Sequence, residues 1–176
     1  MNFDLKLLNL IYGFFHCAFL DAVMPYISSL GDSGAIWIIT AVVLMCFKRT
    51  RKDGIILSLS LIFCLIIGNM TLKPLIDRPR PYETDTSIIL LIKPLNDGSF
   101  PSGHTLSSFA AATTLFLSYK TKAIPAFVLA LIIAFSRLYL MVHFPSDVFA
   151  GMILGIAFGF MAHKIINNIY EKKKLQ

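Results

Sequence analysis

Residues 54–72 read GIILSLSLIFCLIIGNMTL, and no charged side chain interrupts this stretch. A helix that crosses a bilayer needs about 20 consecutive apolar residues, so the stretch is long enough for one crossing. It ends at Lys73, where a cluster of charges and prolines begins. The pattern predicts a transmembrane helix whose end carries a basic segment.

The composition extends this prediction to the whole chain. Of its 176 residues, 56% are hydrophobic and 15% are charged, and the mean hydropathy is +0.72. A soluble domain typically carries about 25% charged residues. We therefore expect residues 1–176 to form a single integral-membrane domain with an all-α fold, a polytopic helical bundle.

Five further apolar segments bring the expected number of transmembrane helices to about six. They are Leu5–Leu30, Gly34–Phe47, Thr105–Tyr119, Ala123–Val142 and Val148–Ile169. The first is broken by His16, Asp21 and Pro25, so it fits either one kinked span or an interfacial helix followed by a short one.

Small residues recur at every fourth position of the last segment, at Gly151, Gly155 and Gly159. Such a face lets two helices approach closely. We expect it to pack against another helix of the same chain, with dimerisation as the alternative.

Basic residues are concentrated in three stretches that alternating spans place on one side of the membrane. These stretches are residues 48–52, residues 120–122 and the tail Lys172–Lys174. The positive-inside rule assigns that side to the cytoplasm. We interpret the net charge of +6 as this topology signal rather than as a sign of nucleic-acid binding. The connection Lys73–Gly103 and the turn at His143 then share the extracytoplasmic side.

The first of three chemical clusters is Lys73-Pro-Leu-Ile-Asp-Arg-Pro-Arg80-Pro81. The guanidinium of Arg80 can bind two phosphate oxygens at once, and Lys73 adds a mobile point charge. The alternating prolines of residues 78–82 forbid a helix and predict a stiff extended strap that holds Arg80 in place. The alternative is that these cations anchor a helix end at the lipid headgroups. Arg78 either pairs with Asp77 or touches headgroups.

The second cluster is Pro101-Ser-Gly-His104, directly before an apolar segment. Ser102 is placed as the N-cap of the next helix, and Gly103 lets the backbone come close to a ligand. The free amides of the first turn would form a cradle for an oxyanion. His104 is placed to protonate a departing oxygen. The alternative is an ordinary capped helix start.

The third cluster is Ser136-Arg137, followed by His143 and Asp147. Pro145 can open the sixth helix, which places Asp147 in its first turn. A carboxylate four residues after a histidine can accept a hydrogen bond from one ring nitrogen and raise the basicity of the other. His143 would then attack phosphorus directly. The alternative is a His–Asp pair that only ties a loop to a helix.

Together, the three clusters resemble the motifs of the phosphatidic acid phosphatase type 2 superfamily, which includes membrane lipid phosphatases. Its Lys-x6-Arg-Pro motif is matched by Lys73, Arg80 and Pro81, and its Pro-Ser-Gly-His motif by residues 101–104. Its Ser-Arg-x5-His-x3-Asp motif is matched by residues 136–147. No motif position departs from the pattern, and the resemblance covers about residues 30–165.

The resemblance implies a role for each matched residue. His143 would be the nucleophile that forms a phosphohistidine, Asp147 its orienting group and His104 the general acid. A phosphate clamp would be formed by Lys73, Arg80, Ser102, Gly103 and Arg137. The resemblance also implies a reaction without a metal or another cofactor. The residues agree with this, because three carboxylates of the connection, Asp77, Glu83 and Asp85, are scattered and lack a histidine at ligand spacing.

The resemblance leaves the substrate open. Our first choice is a membrane lipid phosphate, undecaprenyl diphosphate, cleaved at the outer face of a bacterial plasma membrane. The alternative substrates are phosphatidylglycerophosphate, phosphatidic acid and lipid A 1-phosphate. A hypothesis from another class is an anion or lipid transporter without hydrolysis, which predicts charges at mid-membrane. One interpretation of Asp21 and Asp32 is that they satisfy helix ends near the site entrance. The oligomeric state is left open.

Overall fold

We analysed a computed structural model, which describes the backbone of residues 3–174 and the side chains of residues 3–172. The described chain is helical throughout, with loops between the helices. The helices are α1 Phe3–Phe15, α2 Ala18–Ser29, a 3₁₀ turn Asp32–Gly34, α3 Ala35–Cys46, α4 Arg51–Phe63 with a π-helical continuation Cys64–Leu72, α5 Lys73–Ile76, α6 Pro81–Thr84, α7 Gly103–Tyr119, a 3₁₀ turn Lys120–Ala123, α8 Ile124–Tyr139 and α9 Pro145–Lys174.

The first apolar segment forms two helices rather than one kinked span. α1 and α2 are bent by 119° relative to each other at His16 and Cys17. The hydroxyl of Tyr139 on α8 stabilises the bend between α1 and α2, because it accepts a hydrogen bond from the Cys17 amide at 3.3 Å. It also donates one to Asp21 at 2.6 Å.

Three helical runs are long and apolar enough to cross a membrane: Arg51–Thr84, Gly103–Tyr139 and Pro145–Lys172. The middle run reverses direction at Lys120, whose φ is +54°. Phe116 packs on Phe127 across the turn, and Phe109 shares a buried cluster with Ala134 farther along, so α7 and α8 are antiparallel neighbours. With α3 and the bent α1–α2 pair added, the architecture is roughly consistent with the predicted six helices.

Helix α7 lies at the centre of the bundle, since ten consecutive residues, Thr105–Thr114, are buried. The glycine face of α9 packs against it. A Cβ added at Gly155 would lie 2.5 Å from the carbonyl oxygen of Leu106, and one at Gly151 would lie 2.9 Å from that of Ser102. The expectation that these glycines pack within the monomer is confirmed, because no bulkier residue would allow this approach.

The three basic stretches gather at one end of the bundle. Asp53, at the start of α4, accepts hydrogen bonds from Ser118 and Tyr119 at the end of α7, both at 2.7 Å. The ammonium of Lys52 lies over the ring of Tyr170 near the end of α9. The side chains of Lys173 and Lys174, in the predicted basic tail, lie outside the described residues.

The prediction of an extended strap over residues 78–82 was wrong for its second half. Arg80 is extended, with φ −81° and ψ 160°, but Pro81 opens the short helix α6. Proline is tolerated at the first helical position, where its missing N–H is not needed. The side chain of Glu83 accepts a hydrogen bond from the Arg80 amide at 2.6 Å, which fixes the start of this turn.

Candidate active site

The three sequence clusters meet at the end of the bundle opposite the basic stretches. Nη1 of Arg80 lies 3.4 Å from Nε2 of His143, which joins the first cluster to the third. The amide of Ser102 donates to the carbonyl oxygen of Asp147 at 3.2 Å, which joins the second to the third. Residues far apart in the chain therefore form one site.

His143 is held in the turn between α8 and α9, with its side chain almost fully buried. Burial, reinforced by the charges of Arg137 and Arg80 and opposed by Asp147, lowers the pKa of His143 to about 3. The imidazole is therefore neutral near pH 7. Because Nε2 faces the Arg80 donor, the ring proton belongs on Nδ1.

The expected direct hydrogen bond between His143 and Asp147 is not formed, since Nδ1 lies 3.8 Å from Oδ2. Ser99 lies between them. Its hydroxyl is 3.4 Å from Nδ1 and donates to Asp147 at 2.5 Å. Ser99 therefore bridges His143 and Asp147. The amide of Phe144 donates to the same oxygen of Asp147 at 2.8 Å. Ser99 is not predicted from the sequence, because nothing in its neighbourhood marks it as a partner of a residue 48 positions away.

The other oxygen of Asp147 is bound by Arg78. Nη1 of Arg78 lies 2.6 Å from Oδ1, and Nη2 lies 2.7 Å from Asp4 of α1. The guanidinium also stacks 4.1 Å above the ring of Phe144. Our interpretation that Arg78 pairs with Asp77 or touches headgroups was therefore wrong. Asp77 adopts a left-handed conformation as the C-cap of α5, and Arg78 turns inward instead.

Lys73 and Arg80 converge on a single carboxylate, that of Asp97. Nζ of Lys73 lies 2.5 Å from one oxygen, and Nη2 of Arg80 lies 2.7 Å from the other. Burial acts to raise the pKa of Asp97, but hydrogen bonds and charges from Lys73 and Arg80 prevail and lower it to about 2. Arg80 makes two further strong contacts, to the carbonyl oxygens of Val142 at 2.7 Å and Asp97 at 2.8 Å.

Arg137 is 2% exposed, and its Nη1 donates to the hydroxyl of Ser28. Within the described part of the chain, neither its Nε nor its Nη2 has a hydrogen-bond partner, although both atoms are buried. A buried donor without an acceptor is costly, typically by about 1–3 kcal/mol. These two N–H groups are therefore available for a ligand.

The start of α7 provides further free donors. Ser102 is the N-cap, as predicted, but its buried hydroxyl accepts a hydrogen bond from Thr105 at 3.0 Å instead of capping the helix. Among the described residues, the amides of Gly103, His104 and Thr105 have no backbone acceptor. Gly103 is tightly enclosed, since an added Cβ would lie 2.9 Å from Oδ1 of Asn69. The predicted anion cradle is geometrically available at these amides.

His104 lies at the second position of α7, and its Nε2 is 2.9 Å from Oδ1 of Asp32. Asp32 belongs to the 3₁₀ turn before α3. The interpretation that Asp21 and Asp32 satisfy helix ends was wrong, because both carboxylates bond side chains. Asp21 pairs with Tyr139 and, at 3.2 Å, with His16.

A cavity of about 850 Å³ opens beside these groups between α3, α4 and α7. Its polar end is lined by Lys73, Asp97, His104 and Asp32. Its other end is lined by apolar side chains of α3 and α4 that include Ile38, Val42, Leu61, Ile62 and Leu65. The cavity thus suits a molecule with an anionic head and an apolar tail.

The π-helical turn Cys64–Leu72 shapes the polar end of this cavity. Gly68 on one side lets the turn pack against Leu106 of α7. Asn69 in the turn and Lys73 directly after it both face the cavity. Turns of this kind are frequent at functional sites, because the extra residue re-aims side chains.

A family model described as the PAP2 superfamily matches residues 53–171, which contain all three motifs. An undecaprenyl-diphosphatase of Sulfolobus acidocaldarius is 34% identical over 166 residues, which is 94% of this chain and 79% of that protein. The chain belongs to the PAP2 superfamily. The resemblance inferred from the motifs is thereby confirmed.

Two solved structures resemble this superfamily member over almost its whole length. LpxE of Aquifex aeolicus has a TM-score of 0.82 and 31% identity, covering 93% of this chain and 96% of that one. The PAP2-type phosphatidylglycerolphosphate phosphatase of Bacillus subtilis has a TM-score of 0.75 and 27% identity, covering 94% and 85%. The predicted all-α membrane fold is confirmed, and the protein is a multi-pass membrane protein.

Proposed function

We propose that residues 1–176 form one integral-membrane lipid phosphatase domain that releases the terminal phosphate of a membrane lipid, with undecaprenyl diphosphate as the first candidate. The proposal rests mainly on the buried guanidinium of Arg137. Its Nε and Nη2 are buried without a partner among the described residues, and its charge interacts with those of Lys73 and Arg80. Lys73 and Arg80 already hold the carboxylate of Asp97. A phosphate offers enough acceptor oxygens to satisfy all three cations.

Substrate binding begins with the displacement of Asp97. A terminal phosphate carries close to two negative charges, whereas Asp97 carries one. The phosphate therefore competes for Lys73 and Arg80 while also satisfying Arg137 and the amides of Gly103 and His104. These donors surround the equatorial oxygens and stabilise the charge that develops in the five-coordinate transition state.

The first chemical step transfers the phosphoryl group to His143. Its Nε2 lone pair attacks phosphorus, the bond to the leaving oxygen breaks, and His104 gives its proton to that oxygen. The phosphohistidine retains the Nδ1 proton and is cationic. Ser99 and the carboxylate of Asp147 stabilise this charge from the opposite side of the ring.

The second step releases inorganic phosphate. Water attacks phosphorus and gives its proton to His104, and the P–N bond breaks to return neutral His143. No metal takes part in either step. In residues 3–174, no group of three or more His, Cys, Asp or Glu side chains is arranged to hold a metal ion. The clamp cations supply the positive charge that a metal provides in other phosphatases.

The shape of the cavity supports a lipid substrate, since its apolar end lies between α3 and α4 where a chain can extend into the bilayer. The name of the Sulfolobus relative supports a polyprenyl diphosphate. The name of the Bacillus structure supports phosphatidylglycerophosphate as the alternative. Phosphatidic acid and lipid A 1-phosphate are further candidates, because the clamp recognises only the phosphate.

We place the protein in a bacterial plasma membrane with its active site on the extracytoplasmic face. The positive-inside rule supports this orientation, because the basic stretches lie at the end of the bundle opposite His143. The clustering of charge at the two ends speaks against the transporter hypothesis, which expects a binding site near mid-membrane.

Phosphate release from purified protein in detergent tests the proposal. With EDTA present, undecaprenyl diphosphate should be hydrolysed, and His143→Ala should reduce kcat by on the order of 10³-fold or more. A panel with phosphatidylglycerophosphate, phosphatidic acid and lipid A then ranks the substrates by kcat/KM. Folded wild-type protein that binds these lipids but releases no phosphate from any of them would favour a transporter and contradict the proposal.

A further inference from the structure

We infer that Asp32 is a positioning residue for the general acid, holding His104 so that one ring nitrogen is fixed and the other is left to donate to the leaving oxygen. This inference rests on the proposed function. It begins from the contact between Oδ1 of Asp32 and Nε2 of His104, which is 2.9 Å. His104 Nδ1 has no hydrogen-bond partner among the described residues, so it is the nitrogen left for the substrate.

The turn that contains Asp32 packs against the imidazole of His104. A Cβ added at Gly31 would lie 2.7 Å from Cδ2 of His104, closer than side chains approach. The backbone of Gly31 therefore lies on the ring edge and leaves no room for another residue. This packing restrains the ring independently of the hydrogen bond.

The conformation of the same turn fixes the carboxylate. Ser33 and Gly34 both adopt left-handed conformations, with φ of +52° and +70°. Such a conformation is strained for serine and persists where the surroundings enforce it. Asp32 is thus presented from a defined turn rather than from a flexible loop, although its carboxylate faces the open cavity.

The charges around His104 explain why a carboxylate is useful there. Lys73 at the start of α5 and Arg137 from α8 both act on His104 electrostatically, and Asp32 is the anion that contacts it. Two cations oppose the protonated imidazole that a general acid needs, and an adjacent carboxylate offsets them. Asp97 also lines this cavity, but its negative charge is balanced by ion pairs with Lys73 and Arg80.

The expected consequence appears in the pH profile. A general acid must be protonated, so kcat/KM falls at high pH as the acid loses its proton. Loss of the Asp32 charge should let His104 lose its proton more easily. In Asp32→Asn, the alkaline limb of the profile should therefore move to lower pH, and kcat should fall by on the order of 10- to 100-fold, less than for loss of the acid itself.

The experiment measures phosphate release from undecaprenyl diphosphate by the full-length protein in detergent across pH 5–9. The variants are Asp32→Asn, Asp32→Glu and His104→Ala, together with Asp32→Asn in the His104→Ala background. Asp85→Asn is the matched control, since Asp85 is half-exposed and its carboxylate bonds only Ser87 among the described residues. Melting temperatures show whether each variant is folded.

The inference predicts that Asp32→Asn shifts the alkaline limb, that Asp32→Glu restores it at least in part, and that Asp32→Asn adds no further loss once His104 is alanine. A merely structural role would lower activity equally in both backgrounds and leave the profile in place, which would overturn the inference. A wild-type profile in Asp32→Asn would overturn it too. Wild-type protein that releases no phosphate would instead overturn the proposed function, and the inference with it.

Discussion

The carboxylate of Asp97 lies 2.5 Å from the ammonium of Lys73, at the position that we propose for a phosphate oxygen. Its second oxygen binds Arg80, so one side chain occupies both cations of the clamp. Behind it, Arg80 and His143 are each only 1% exposed. The site is therefore closed by an anion of the protein itself.

Asp97→Asn should strengthen the binding of phosphate-like inhibitors. A neutral amide competes less well for the two cations than a carboxylate, since hydrogen bonds between charged groups are about twice as strong. The inhibition constants of vanadate and inorganic phosphate should each fall about 10-fold, measured by steady-state inhibition. Asp85→Asn, with its carboxylate outside the cavity, is the control. Weaker inhibition in Asp97→Asn would mean that Asp97 holds the clamp in shape instead of occupying it.

Arg78→Ala should lower both the stability and the activity of the protein, because it removes the ion pair with Asp147. The carboxylate of Asp147 is fully buried, and Arg78 is its cationic partner. Removal of one member of a buried pair leaves an uncompensated charge, which costs about 3 kcal/mol or more. We expect a clear drop in melting temperature and a loss of kcat of on the order of 10-fold.

Asp4→Asn serves as the comparison for that experiment. It removes the other carboxylate that Arg78 binds and leaves the contact to Asp147 in place. Its effect on kcat should be small. Equal losses of activity in the two variants would show that the α1 contact, and not Asp147, carries the effect of Arg78.

Gly155→Ala should destabilise the bundle because α9 and α7 touch at this glycine. The added Cβ would lie 2.5 Å from the Leu106 carbonyl oxygen, so the helices must separate. We expect a loss of about 1–3 kcal/mol, seen as a lower melting temperature in detergent. Gly13→Ala is the control, since its Cβ would meet nothing within 4 Å. There, alanine should be neutral or stabilising by up to about 1 kcal/mol.

Val42→Trp should weaken binding of the lipid tail without altering the chemistry. Val42 lines the apolar end of the cavity, and an indole there would occupy the space proposed for the chain. The KM for undecaprenyl diphosphate should rise about 10-fold, by loss of apolar contact, while hydrolysis of p-nitrophenyl phosphate stays unchanged. Val43→Trp is the matched control, as Val43 is similarly exposed on the same helix but lies outside the cavity lining.

The sequence predicts the bundle well because uncharged runs of sufficient length have few alternatives to a membrane helix. It also predicts that Lys73, His104 and His143 share one end, since alternating spans and basic loops constrain topology. It does not predict the bend between α1 and α2. That angle depends on Tyr139, which is more than 120 positions from Cys17.

The supporting residues of the site are harder to find. Ser99 and Asp97 lie in an irregular connection, where no periodic pattern indicates which side chains face inward. From the sequence, the expected partners of Arg78 are its neighbour Asp77 or lipid headgroups, yet the buried carboxylate of Asp147 is the better partner. The π-helical turn before Lys73 has no composition that distinguishes it from the α-helix it continues. Each of these features depends on packing between elements, which local sequence does not encode.

In the proposed mechanism, His143 becomes covalently phosphorylated during turnover. Rapid acid-free quenching of the protein with substrate labelled in its terminal phosphate tests this directly, followed by peptide mapping. We expect a transient phosphoenzyme that is stable in base, labile in acid and located at His143, and that is absent from His143→Ala. Label found on another residue, or active turnover with no phosphoenzyme under conditions that trap one in a known phosphohistidine enzyme, would contradict it.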